Sequence, residues 1–203
     1  MPSNVDIANR ALSKVGGTPI TSFTQGVRNS NVVNDIYDDL RDELLDYPWN
    51  FASVRAKLAR SSTTPVFGWD YAYVLPSDWI RTRSAHDNVD GTGTVFYFEE
   101  QNAGQHALLS SSSDVYIRYT KKETDPNLWS VGFRKAFVAA LARDLAVPIA
   151  GSKVLLGQLV TIAKQALASA KSSDSIQSFP ERRPRGSWVT NRRITSYSDH
   201  YQH

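Results

Sequence analysis

The apolar positions of this chain change period twice. Near the start, Ile7, Ala8, Ala11, Leu12 and Val15 recur at helical spacing and predict a helix over roughly 3–15. Ser3 and Asp6 have the spacing of a capping box, and Gly16-Gly17 is a stop signal. After a polar loop through Pro19 and Gly26, Val33, Ile36, Tyr37, Leu40 and Leu44 form a second apolar stripe. Ser30 is its expected N-cap and Pro48 lies beyond its end. At about 100° per residue, Asp35, Asp38, Asp39, Asp42 and Asp46 fall on a stripe of their own, nearly opposite the apolar one.

From about Asn50 to Tyr119 the period drops to two. Val54, Ala56 and Leu58 alternate with Arg55, Lys57 and Ala59, and Trp69, Tyr71 and Tyr73 alternate around Asp70 and Ala72. Residues 95–98 and 115–119 are rich in β-formers, and Gly91-Thr92-Gly93 and 110–114 supply turns. A small antiparallel sheet of about four to six strands is expected. Helical period then returns in Phe133, Phe137, Leu141 and Leu145, with Ala136 and Ala140 beside them, until Pro148. A last helix is expected from near Ser152, with Leu155, Leu159, Ile162, Ala163, Ala166, Leu167 and Ala170 along one side. Beyond about Ser172 the apolar residues are isolated and Ser, Pro and Arg dominate, as in an arm with no core of its own. The fold expected is α+β: a four-helix bundle carrying an inserted small antiparallel β subdomain and an extended C-terminal arm. The bundle takes 1–49 and 120–172, the β insertion 50–119, and the flexible, Arg-rich arm 173–203.

Composition narrows the function classes. The chain has 203 residues, 41% of them apolar, enough for one sizeable core. It has no cysteine, which excludes disulfides, Cys-ligated metals and a thiol nucleophile. Neither a signal-peptide pattern nor a membrane-length apolar run is visible, so a soluble product of a host cytoplasm is expected. The net charge of +3 is too small to argue for nucleic acid by itself, but the charge is unevenly placed. Arg182, Arg183, Arg185, Arg192 and Arg193 crowd the arm, interspersed with Phe179 and Trp188. Arginine makes forked contacts to carboxylates, so these seven residues are read as a partner-docking arm, ordered only on assembly. The acidic stripe is first a solvated helix face. Its sharper readings are a dock for a neighbour's arm, or the wall of a channel from which phosphate is repelled.

Catalytic signals are poor. There is no Gly-Lys phosphate loop and no His-Glu-x-x-His, and Gly91-Thr92-Gly93 reads as a turn. No catalytic residue, cofactor or metal is expected; His200 and His203 at the extreme terminus are a weak chelating pair. Tyr47-Pro48-Trp49-Asn50-Phe51 reads as a filled corner between helix and sheet, ahead of a contact anchor. The Trp69, Tyr71, Tyr73 ladder reads as an ordinary sheet face, ahead of a base-stacking platform.

Several blocks, in order, resemble one family. They are Ala11-Leu12-Ser13-Lys14-Val15-Gly16-Gly17-Thr18-Pro19-Ile20 and Asp42-Glu43-Leu44-Leu45-Asp46-Tyr47-Pro48-Trp49-Asn50-Phe51-Ala52, then Gly68-Trp69-Asp70-Tyr71-Ala72-Tyr73, Leu75-Pro76-Ser77-Asp78-Trp79 and Ile117-Arg118-Tyr119. Asp125-Pro126 with Trp129, Phe133, Ala140, Leu141 and Leu145-Ala146 completes the set. Spread over roughly 8–170, they resemble the tail tubular protein A, or head-to-tail adaptor, of short-tailed bacteriophages. The resemblance implies a non-enzymatic virion protein at the head-to-tail junction. It would form a ring, dodecameric in the family, between the portal protein and the tail nozzle (tail tubular protein B). Tail fibres would attach nearby, and genomic DNA would pass through the lumen on ejection without specific binding. The alternatives from other classes are a basic nucleic-acid-binding module that uses the Arg-rich tail, and a cell-wall hydrolase.

Overall fold

Ser3 caps the first helix of the computed structural model, which describes residues 2–91, 93–102 and 104–177. The capping box is complete: the Ser3 hydroxyl accepts from the Asp6 amide at 3.1 Å, and the Asp6 carboxylate accepts from the Ser3 amide at 2.8 Å. Helix α1 spans Asn4–Lys14 and α2 spans Arg28–Leu45. The start of α2 differs from expectation. Val27 is the N-cap and offers no side-chain acceptor, while Ser30 is buried inside the helix and donates to the Val27 carbonyl at 2.8 Å.

The β region is larger than expected and divided. Its strands are β1 (Ser53–Lys57), β2 (Ala59–Arg60), β3 (Tyr71–Val74), β4 (Trp79–His86), β5 (Phe98–Asn102), β6 (Gln105–Ser110) and β7 (Tyr116–Lys121). They form two antiparallel sheets, a three-stranded one ordered β1-β7-β4 and a four-stranded one ordered β2-β3-β6-β5. The chain crosses between the sheets four times, between β1 and β2, β3 and β4, β4 and β5, and β6 and β7. At Leu58 the alternation that begins in β1 breaks: the Leu58 amide donates to the Val115 carbonyl at 2.9 Å, its side chain is buried, and β2 starts in the other sheet. At Pro76–Asp78 the chain returns, because β3 pairs with β6 and β4 with β7. The inner faces share one core, in which Tyr73 and Leu108 of one sheet meet Ala85, Ile117 and Tyr119 of the other.

Helices α3 (Val131–Leu145) and α4 (Lys153–Gln177) follow. Ser130 caps α3, and the Ser152 hydroxyl accepts from the Leu155 amide at 3.2 Å at the start of α4. The helices do not make a four-helix bundle, and this corrects the expected fold class; α+β is retained. Instead α3 is a central helix against which α1, α2 and α4 each pack, and no other helix pair packs closely. The physical reason lies in its side chains: all seven residues from Ala136 to Ala142 are buried, so α3 has no solvent face along its middle. A bundle shares its core among helices with one apolar stripe each; here three striped helices clothe one that is apolar all round. Gly132 permits the closest approach, since a Cβ there would lie 3.2 Å from the Ala170 Cα on the antiparallel α4. Ile162, placed on the inner side of α4 by its spacing, is half exposed. Helix α4 also runs on to Gln177, into the stretch whose composition suggested the arm.

Candidate functional site

The five aspartates of α2 do not act as one group. Asp35, Asp38 and Asp39 are exposed, whereas Asp42 is half-buried. Arg41, only 3% exposed, lies between Asp38 at 2.7 Å and Asp42 at 2.9 Å. The other Asp42 oxygen meets Lys122, just past β7, at 2.5 Å, and Asp46 meets Arg81 of β4 at 3.3 Å. The C-terminal half of the stripe therefore clips α2 to the three-stranded sheet. Asp35 and Asp39 form no ion pair with any described residue and leave their charge to solvent.

Where α2 meets that sheet, the aromatic corner is filled from within. Trp49 is fully buried, 5.1 Å from the Phe133 ring and 4.8 Å from Tyr47, and its indole donates to the Leu44 carbonyl at 2.7 Å. That bond satisfies a carbonyl the helix end leaves over. Arg83, from β4, donates to the Trp49 carbonyl at 2.7 Å and to the Thr120 hydroxyl at 3.0 Å. Asp174, from α4, is buried and accepts from the Asn50 amide at 3.2 Å, while the Asn50 side chain donates to the Asp174 carbonyl at 2.7 Å. Burial holds the Asp174 carboxyl above the usual aspartate range, against the opposing pull of Asn50 and Arg83. Burial, with the Arg118 charge nearby, lowers the Arg83 guanidinium.

The outward face of the three-stranded sheet carries a different chemistry. Register places Arg55 opposite Arg118, with Ser84 next across the ladder, and Lys57 opposite Tyr116, with His86 next. These six side chains share one face and form the floor of a cleft of about 780 Å³, walled by residues 88–91 and Thr94. His86 is held at both nitrogens: Nδ1 is 2.5 Å from the Gly93 carbonyl and Nε2 is 3.0 Å from the Ser84 hydroxyl. A carbonyl only accepts, so Nδ1 carries the proton, and in the neutral ring Nε2 accepts from Ser84. Gly93 is required at that approach, because a Cβ there would lie 1.8 Å from an Asp87 oxygen. The Lys57 ammonium lies 2.8 Å from Asp114; this raises the lysine and lowers the aspartate.

The expected docking residues Phe179, Arg182, Arg183, Arg185, Trp188, Arg192 and Arg193 lie outside the described residues, as do His200 and His203. The Trp69, Tyr71, Tyr73 ladder is split by burial: Tyr73 is in the core with its hydroxyl donating to the Ser112 carbonyl at 2.5 Å, and the Arg60 guanidinium covers Tyr71 at 3.9 Å. Sequence reading missed Arg55, Arg118, Ser84 and His86. Alternation alone put Arg55 and Lys57 on one face, but their partners depend on register with a strand some sixty residues away. Among the described residues no group of three or more His, Asp or Glu side chains could hold a metal, and no described helix is long and apolar enough to cross a membrane. Neither a known protein family nor a curated protein sequence matches the chain.

Proposed function

We propose that this protein is a structural component of a short-tailed phage virion, a ring-forming adaptor between portal protein and tail nozzle that forms part of the DNA ejection conduit. The observation that carries the reading is the ordered set of resembling blocks, taken with the positions they hold. Tyr47 to Ala52 builds the corner between the helical core and the sheets, Leu75 to Trp79 links the two sheets, and Trp129, Phe133 and Leu141 lie in the helical core. These positions set a frame rather than a reaction centre, which supports a structural role and not an enzyme. In this reading Asp35, Asp38 and Asp39 present their carboxylates either to the lumen, where they repel the passing duplex, or to the Arg-rich arm of the next subunit. The ring count, the nozzle contact and the tail-fibre contact belong to the same proposal.

The test is electron microscopy of the purified chain mixed with portal rings of the same phage. Closed rings of this chain seated on one end of the portal are expected. A chain that stays free at micromolar concentrations of both proteins would overturn the adaptor reading. Turnover of peptidoglycan or nucleic acid that a single substitution abolishes would overturn the structural one.

A further inference from the structure

Strand β5 is an outer edge of the four-stranded sheet: it pairs with β6 on one side and with no described strand on the other. Such an edge leaves amides and carbonyls open to another strand, and folds ordinarily shorten, cover or charge it. Here the charge is acidic. Phe98, Glu99, Glu100 and Gln101 are all exposed, Phe98 to 56%, and neither glutamate forms an ion pair with a described residue. Adjacent glutamates repel a second copy of the same edge and favour a basic strand.

The chain itself carries one. Residues 190–194 read Thr-Asn-Arg-Arg-Ile. Run antiparallel to β5, they set Ile194 opposite Phe98, Arg193 opposite Glu99, Arg192 opposite Glu100 and Asn191 opposite Gln101. Each is a favourable cross-strand pair: a β-branched side chain on an aromatic ring, two pairs of opposite charge, and amide on amide. A shift of one residue keeps one of the two ion pairs, and a parallel run sets Phe98 against Asn191. The other arginine pair, Arg182-Arg183, adjoins Pro184, which has no N–H to give to a ladder.

We propose that residues 190–194 of one copy add as a fifth strand to β5 of a second copy, antiparallel and in this register. The occupant is a second copy because the single chain leaves the edge exposed. Residues 178–189 lie between the end of α4 and Thr190 and span up to about 40 Å when extended, enough to reach an adjoining copy. The donated strand and the receiving edge are different parts of the chain, so the contact is head-to-tail and repeats from copy to copy, closing a ring where the rotation allows. It rests on the adaptor reading for the ring, and on charge and register for the pairing. With Arg192 and Arg193 taken up by β5, the α2 carboxylates are left to the lumen.

The experiment uses the full chain and three variants: Glu99→Lys/Glu100→Lys, Arg192→Glu/Arg193→Glu, and the two combined. Sedimentation velocity over a concentration series measures self-association. The natural chain is expected to associate. Each double variant should weaken association roughly tenfold or more, since it sets like charges opposite one another, and the combined variant should regain it. The glutamates are exposed, so their replacement leaves the fold intact, which circular dichroism checks. The chain has no cysteine, so Gln101→Cys and Asn191→Cys in separate, differently tagged copies report the register, and oxidation should join the two copies. A chain carrying both that instead closes a disulfide within itself overturns the second-copy assignment. A natural chain that stays monomeric at high micromolar concentration, or a combined variant that recovers nothing, overturns the pairing. Loss of association on Asp35→Lys/Asp39→Lys but not on the β5 variant also overturns it, by moving the arm to α2. Failure to seat on portal rings with the charge-swap recovery intact sinks the adaptor reading alone; seating undisturbed by either reversal sinks this contact alone.

Discussion

Phe137 shows how tightly the helical core is specified at the level of one side chain. It is fully buried on the central helix, 5.0 Å from Tyr37, 5.1 Å from Trp129 and 6.3 Å from Phe133, ring to ring. Phe137→Ala should cost about 3–5 kcal/mol, the transfer term plus the cavity left among rigid rings. Denaturant unfolding followed by circular dichroism measures it, and a change below about half a kcal/mol would mean that α3 does not face this core. Asp174 gives a test of a different kind. Its carboxyl is raised by burial, so the stability linked to it is present below the unfolded aspartate pKa and lost as pH rises through the higher folded value. Asp174→Asn should therefore flatten the melting-temperature curve in the window just above the usual aspartate range. An identical slope in both proteins would mean that the carboxylate is as ionised folded as unfolded.

At the scale of elements, α2 carries two kinds of aspartate that look alike in sequence. Asp42 bridges a buried arginine of its own helix and a lysine just past the end of the central strand β7; Asp39 faces solvent. Asp42→Asn should lose about 1–3 kcal/mol, since it strips charge-assisted bonds from Arg41 and Lys122. Asp39→Asn should stay within about half a kcal/mol, as most surface substitutions do. Equal costs in a denaturant series would show that the clip between α2 and the sheet is not formed. The same difference bears on function: Asp35 and Asp39, which form no ion pair with a described residue, and the exposed Asp38, which is shared with Arg41, can face a lumen or a neighbour's arm, whereas Asp42 and Asp46 are tied to the sheet.

At the scale of the whole molecule, the buried residues of both hydrophobic cores, among the described residues, lie between Ile7 and Ala170. Deleting 179–203 is therefore expected to leave helical content unchanged and the melting temperature within a few degrees. If the arm docks onto an adjoining surface in the assembled ring, the same deletion should abolish incorporation onto portal rings. Loss of the fold would place the arm in the core, and unimpaired incorporation would remove its docking role.

The sequence by itself determined the local structure. Apolar spacing placed the four helices of the described residues, the Ser3–Asp6 box set the first boundary, and β alternation marked where helices stop, because these are properties of a few neighbouring residues. It also marked Trp49 as a corner residue, since Pro48 ends one period and another begins beside it. Tertiary structure decided whatever depends on a distant partner. That α3 is a hub rather than one quarter of a bundle follows from what covers its alanine-rich faces, and alanine is compatible with either side of a helix. That seven strands form two sheets depends on pairing, and a chain that switches sheets at Leu58 and Pro76 has the same alternation as one that does not. The floor of the cleft follows from register: Arg55 and Arg118 come to lie opposite one another on one face only when β1 and β7 align.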